Sequence, residues 1–110
     1  MEELAPDDNN GSADVSFDAE GVPTIKLSGE IDMANVDALR RVIEPVVARS
    51  PARVIFDLGA LTFMDSSGIA LLLQVSAKTG SVRVRQPSQL VRRMIDATGL
   101  SDVLVVDDDG

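Results

Sequence analysis

Cysteine, histidine, tryptophan and tyrosine are all absent from the 110-residue chain, whose aromatic content is three phenylalanines. Without thiols and imidazoles there is no disulfide, no thiolate nucleophile, no imidazole base and no usual zinc ligand set. A serine nucleophile would have to rely on Lys78 or a carboxylate for its base, and no Gly-x-Ser-x-Gly elbow is present. Neither a Walker-type glycine run nor a dinucleotide-binding glycine fingerprint occurs, so cofactor enzymes are disfavoured and no cofactor or metal is expected. No apolar run approaches the ~20 residues of a membrane span. The acidic Met1-Glu2-Glu3 start lacks the basic and apolar parts of a signal peptide, so the expectation is a cytoplasmic protein without membrane contact.

Charge of one sign dominates only at the ends. The net charge is −8, yet seven of the eighteen acids are Glu2, Glu3, Asp7, Asp8, Asp107, Asp108 and Asp109. The remaining segment holds eleven acids against ten bases and is nearly neutral. Nucleic acid, which needs clustered Lys and Arg and usually aromatic platforms, is not an expected partner. Lys78, Arg83, Arg85, Arg92 and Arg93 form one locally basic stretch that either faces an acidic partner or is a solvated surface.

What is present is a single domain's worth of apolar residues in alternating patterns. Residues 1–12 carry acids, Asn9-Asn10-Gly11 and Pro6 without apolar periodicity, the composition of a disordered tail. Val15 and Phe17 alternate with polar neighbours, Asp18-Ala19-Glu20-Gly21 supplies a turn, and Thr24-Ile25-Lys26-Leu27 alternates again, which predicts a β-hairpin. Ser28-Gly29-Glu30-Ile31-Asp32 then reads as a break. Val36, Leu39, Ile43, Val46 and Val47 predict a helix over about 35–49, kinked or shortened by Pro45.

Val54 to Leu58 is a buried strand with Asp57 facing away from the core, and the polar Asp-Ser-Ser-Gly break at 65–68 reads as the loop before the next apolar run. A second helix starts at Ser66 or Ser67 and runs to Thr79, with Gly80 as its C-terminal cap. Val82 and Val84 should face inward from a strand whose Arg83 and Arg85 face water. A third helix follows Pro87-Ser88, with Leu90, Val91, Met94 and Ile95 as its apolar stripe and Gly99 as its stop. A last strand spans 103–106, and 107–110 is a second acidic tail. Alternating strands and helices after a hairpin give an α/β sandwich with a mixed sheet of about five strands. The expected buried set includes Phe56, Leu58, Ile69, Leu72, Val84 and Met94.

The polar interruption Asp65-Ser66-Ser67-Gly68 sits at the mouth of the second helix. Asp65 or Ser66 is a natural N-cap. A negative group added to Ser66 or Ser67 should also meet unpaired backbone N–H groups and the positive end of the helix dipole there. Positions a turn apart from Ser66 are Ala70, Gln74 and Ala77, small or neutral, while Ile69, Leu71, Leu72 and Val75 supply bulk to the core.

Phe63-Met64-Asp65-Ser66-Ser67-Gly68-Ile69, preceded by Leu27-Ser28-Gly29-Glu30-Ile31-Asp32 and followed by Ala97-Thr98-Gly99-Leu100, resembles the bacterial anti-sigma factor antagonists, stand-alone STAS domains. The resemblance covers about residues 13–106. It implies phosphorylation of Ser66, the serine directly after the aspartate, by a partner that is both serine kinase and anti-sigma factor. It carries Glu30 and Asp32 over as partner contacts beside a surface formed by Asp65, Ser66, Ser67, Gly68, Ala70, Gln74 and Ala77. The expected function is a non-catalytic antagonist that binds the anti-sigma factor when unphosphorylated and so releases a sigma factor. The alternative is a STAS adaptor in a transporter or signalling assembly that is not phosphorylated. Family members usually continue into a further helix after the last strand, where this chain has an acidic tail.

Overall fold

The computed structural model describes residues 11–99 and 104–107. The expectations for residues 1–10 and 108–110, for Leu100 and for Val103 lie outside them. Five strands, β1 (Ser12–Phe17), β2 (Pro23–Ile31), β3 (Arg53–Met64), β4 (Ser81–Arg85) and β5 (Leu104–Asp107), alternate after the first pair with α1 (Val36–Val47), α2 (Ser66–Ala77) and α3 (Gln89–Ala97). The sheet runs β1-β2-β3-β4-β5, with β1 antiparallel to β2 and every later pair parallel. The mixed five-stranded sheet with three helices is the architecture the alternation predicts.

The hairpin turn is built by Asp18, whose carboxylate accepts from the N–H groups of Glu20 (2.8 Å) and Val22 (2.9 Å). Strand then begins at Ser12, inside the stretch read as tail, and Asp107 ends β5 opposite Arg85 instead of opening the second tail. Pro45 lies inside α1, which ends at Val47, short of Arg49. Ser88 caps α3 by accepting from Val91 N–H (3.2 Å), and Gly99 follows it with φ +73°, a conformation that favours glycine. Gly80 is not a cap of this kind, because α2 closes at Lys78. Gly80 is small for another reason: a Cβ there would run into the Ala52 carbonyl.

Two strands are longer than period-two alternation predicts. β2 continues through Ser28-Gly29-Glu30 to Ile31, and β3 runs on from Leu58 to Met64. Lys26 and Ser28 face Asp57 and Ala60, and Gly29 and Glu30 face Leu61 and Phe63, so β3 carries an extra residue at each of two bulges. Each bulge resets the pleat. Leu58, Leu61 and Met64 therefore all reach the core at a spacing of three.

The helices share one face of the sheet. Val36, Leu39 and Ile43 of α1, Ile69, Leu72 and Val75 of α2, and Val91 and Ile95 of α3 join one cluster with Ile25, Val54, Phe56, Val82 and Val84. Right-handed crossovers along a strand order that never reverses require this arrangement. Phe56, Leu58, Ile69, Leu72 and Val84 are buried as expected. Met94 is only half-buried at the edge of the cluster, and Leu90 is exposed, so the α3 stripe is narrower than its sequence suggests.

The opposite face carries a row in which charge alternates across all five strands: Asp14, Lys26, Asp57, Arg85 and Asp107 are successive partners in register. Asp57 faces away from the core as expected and accepts from Gly59 N–H (2.9 Å). Arg83 and Arg85 lie 3.9 and 4.0 Å from Asp107, so these two members of the basic stretch share one carboxylate within the sheet. Opposite charges on neighbouring strands suit a face left in water.

Candidate functional site

The C-terminal ends of β2 and β3 lie side by side, with Ile31 opposite Met64 and the Asp65 N–H donating to the Ile31 carbonyl (3.1 Å). The turns into α1 and α2 are thereby brought together. The first is fastened from within. Asp32 accepts from Ala34 N–H (2.9 Å) through its carboxylate and from the N–H groups of Asn35 and Val36 through its carbonyl. Asn35 accepts from Asp32 N–H (3.0 Å) and donates to the Glu30 carbonyl (2.8 Å). This is an Asx-type turn of the sort short polar side chains stabilise.

Asp65 organises the second. It is the N-cap of α2, and its carboxylate accepts from Ser67 N–H (2.8 Å) and from the Ser67 hydroxyl (2.5 Å). The Ser67 hydroxyl is the main cause that holds the Asp65 carboxyl below its ordinary value of 3.8. Partial desolvation opposes it, and the backbone N–H groups of Ser67, Gly68 and Met33 add to it. Met33 belongs to the first turn, which lies against this one through the Asp65 N–H and the Ile31 carbonyl.

Ser66, between Asp65 and Ser67, is exposed, and its hydroxyl has no hydrogen-bond partner among the described residues. Ser67 is half-buried with its hydroxyl committed to Asp65. The two serines that sequence could not separate by environment are separated here. The neighbourhood of Ser66 differs from expectation in one respect: the N–H groups of Ser67 and Gly68 are already bonded to Asp65. A phosphate on Ser66 would meet a carboxylate where open donors were expected.

The remaining sequence-predicted positions divide. Ala70 is half-buried and Gln74 and Ala77 are exposed, so the stripe running from Ser66 is accessible. Gln74 is not neutral in use, because its Oε1 accepts from Arg40 Nε (3.1 Å), and Arg40 also pairs with Asp37. Gly68 is buried and does not belong to the contact surface. A Cβ there would overlap Met64 Cγ, so glycine is what lets α2 approach β3. Glu30 is half-buried and lies within β2, not in a loop. Asp32 lies in the turn with its carboxylate engaged by Ala34 N–H.

Sequence reasoning missed Met33, which is 79% exposed at the apex of the first turn. An apolar residue next to a turn carries no periodic signal, and only the pairing of Ile31 with Met64, which sets its turn beside Asp65, reveals its place. Among the described residues no group of acids can hold a metal ion, and no helix is long and apolar enough to cross a membrane.

Residues 17–109 match the STAS domain family. The anti-sigma-F factor antagonist RsfB of Mycobacterium tuberculosis is 37% identical over 86 residues, covering 76% of this chain and 70% of RsfB. An anti-sigma factor antagonist of Mycobacterium paratuberculosis superposes with a TM-score of 0.77 at 35% identity, covering 94% of this chain and 89% of that one. The anti-sigma factor antagonist SpoIIAA in its unphosphorylated form superposes with a TM-score of 0.72 at 25% identity, covering 89% and 90% of the two chains.

Proposed function

We propose that this chain, which belongs to the STAS domain family, is an anti-sigma factor antagonist switched by phosphorylation of Ser66. It is a regulatory binding module and not an enzyme. In its unphosphorylated form it binds an anti-sigma factor that is also a serine kinase, and the sigma factor held by that partner is released. Phosphate transferred to Ser66 ends the binding. The observation that carries this reading is the Ser66 hydroxyl, exposed and unpartnered among the described residues at the first position of α2, beside a Ser67 hydroxyl that is locked.

The physics of the switch follows from that environment. A phosphoserine adds about −1.5 to −2 charges. With the Ser67 and Gly68 N–H groups held by Asp65, the dianion has few donors in its own chain and points outward beside a second negative charge. A partner surface that had closed over a hydroxyl must then desolvate or repel it, at a cost of several kcal/mol. A loss of ~3–4 kcal/mol weakens binding by roughly two to three orders of magnitude.

The test is to purify the serine-kinase anti-sigma factors of the source organism and titrate each against this chain. Binding is expected with ADP, and its loss with ATP, with phosphate mapped to Ser66. Stable binding with no phosphate on Ser66 after prolonged ATP incubation would instead favour an adaptor that is not switched.

A further inference from the structure

We infer that Met33 is an apolar anchor that the anti-sigma partner receives in a hydrophobic socket beside Ser66; the inference rests on the reading of Ser66 as the switch. Met33 is far more exposed than any other large apolar side chain among the described residues, at 79% against 52% for Phe17 and 50% for Leu90. An exposed methionine on a loose loop would mean little. This one stands on a turn whose flanking side chains, Asp32 and Asn35, are spent on holding the backbone. Its turn is set beside Asp65, the residue that precedes Ser66, because Ile31 pairs with Met64 and the Ile31 carbonyl accepts from Asp65 N–H (3.1 Å).

A fixed backbone lowers the entropy lost on docking, and an unbranched thioether adapts to the shape of a socket. Arg40 on the α1–α2 side is also committed, paired with Asp37 and bonded to Gln74. The surface running from Met33 past Ser66 to half-buried Ala70 therefore offers apolar contact and a hydroxyl beside two carboxylates, Asp32 and Asp65, that are already hydrogen-bonded within their own turns, and its occupant is a protein surface with an apolar socket. This placement also explains how one phosphate could undo the complex. A socket dry enough to hold Met33 is a costly place to bring a dianion.

Met33→Gln keeps the length and removes the apolar end, Met33→Leu keeps the apolar character, and Leu90→Gln on α3 alters an exposed apolar residue elsewhere. The probe is the purified kinase anti-sigma factor that phosphorylates the parent chain at Ser66, titrated by calorimetry with ADP present. Met33→Gln is expected to bind at least about tenfold more weakly. Met33→Leu should bind within a few-fold of the parent, Leu90→Gln should be unchanged, and all three should melt as the parent does. Equal affinity of Met33→Gln and parent overturns the anchor while the Ser66 switch stands. If no such factor binds or phosphorylates the parent, the functional reading falls and the anchor with it.

Discussion

Gly68 of α2 and Met64 of β3 approach so closely that a Cβ on Gly68 would overlap Met64 Cγ and come within 3.0 Å of its sulfur. Met64 is itself buried and has little room to yield. Gly68→Ala gains up to about 1 kcal/mol of helix propensity but incurs overpacking of about 1–3 kcal/mol. A net loss of stability is expected, read as a lower urea midpoint. A raised midpoint would show that Met64 moves aside freely.

Leu72 is fully buried on the helix that carries Ser66. Leu72→Ala should lower stability by about 2–5 kcal/mol. An unchanged denaturation midpoint would mean that α2 does not rest on the sheet through this residue.

The Asp65 carboxyl is held below its ordinary value of 3.8, chiefly by the Ser67 hydroxyl. A carboxyl depressed in the folded state contributes stability above its unfolded value, and that contribution is lost as pH falls through the folded one. Stability of the parent should therefore fall below about pH 4 partly through Asp65. Asp65→Asn keeps an acceptor for Ser67 N–H but does not titrate, and its urea midpoint should vary less steeply over the same range. Parallel pH profiles would remove Asp65 from the acid response.

Asp32 is engaged in shaping the turn that carries Met33. Asp32→Ala should weaken partner binding, while Asp32→Asn, which retains an acceptor for Ala34 N–H, should bind nearly as the parent does. If the two variants bind equally weakly, the carboxylate charge contacts the partner directly.

Ser66→Ala should bind the anti-sigma partner and resist ATP-dependent release. Ser66→Asp places an acid in the first turn of α2, which helices favour, so it should fold normally. It should bind roughly ten- to several-hundredfold more weakly, because one charge imitates two imperfectly. Calorimetric titration with ADP measures both, and equal affinities for Ser66→Asp and parent would contradict an electrostatic switch.

The elements that could be read directly are those in which local pattern and tertiary environment agree. Val82 and Val84 alternate with arginines and lie buried between them, and Val36, Leu39 and Ile43 follow helical spacing and form one face. The extension of β3 could not be read this way. Leu58, Leu61 and Met64 recur every third residue, a period that belongs to neither a flat strand nor a long helix, and it makes sense only against the shorter path of β2.

The sequence alone determined the order of strands and helices, the absence of imidazole and thiol chemistry, and the position of Asp65-Ser66-Ser67 at the start of a helix, because these depend on neighbours a few residues away. Tertiary structure decided which atoms are free to act. Ser66 is open because Asp65 engages Ser67 instead, Gly68 belongs to packing because Met64 lies beneath it, and Met33 joins the site because Ile31 pairs with Met64 and holds the Asp65 N–H. Each of these is a contact between the ends of β2 and β3 or the helix laid across them, set by strand register and its bulges, and no local pattern encodes register across that distance.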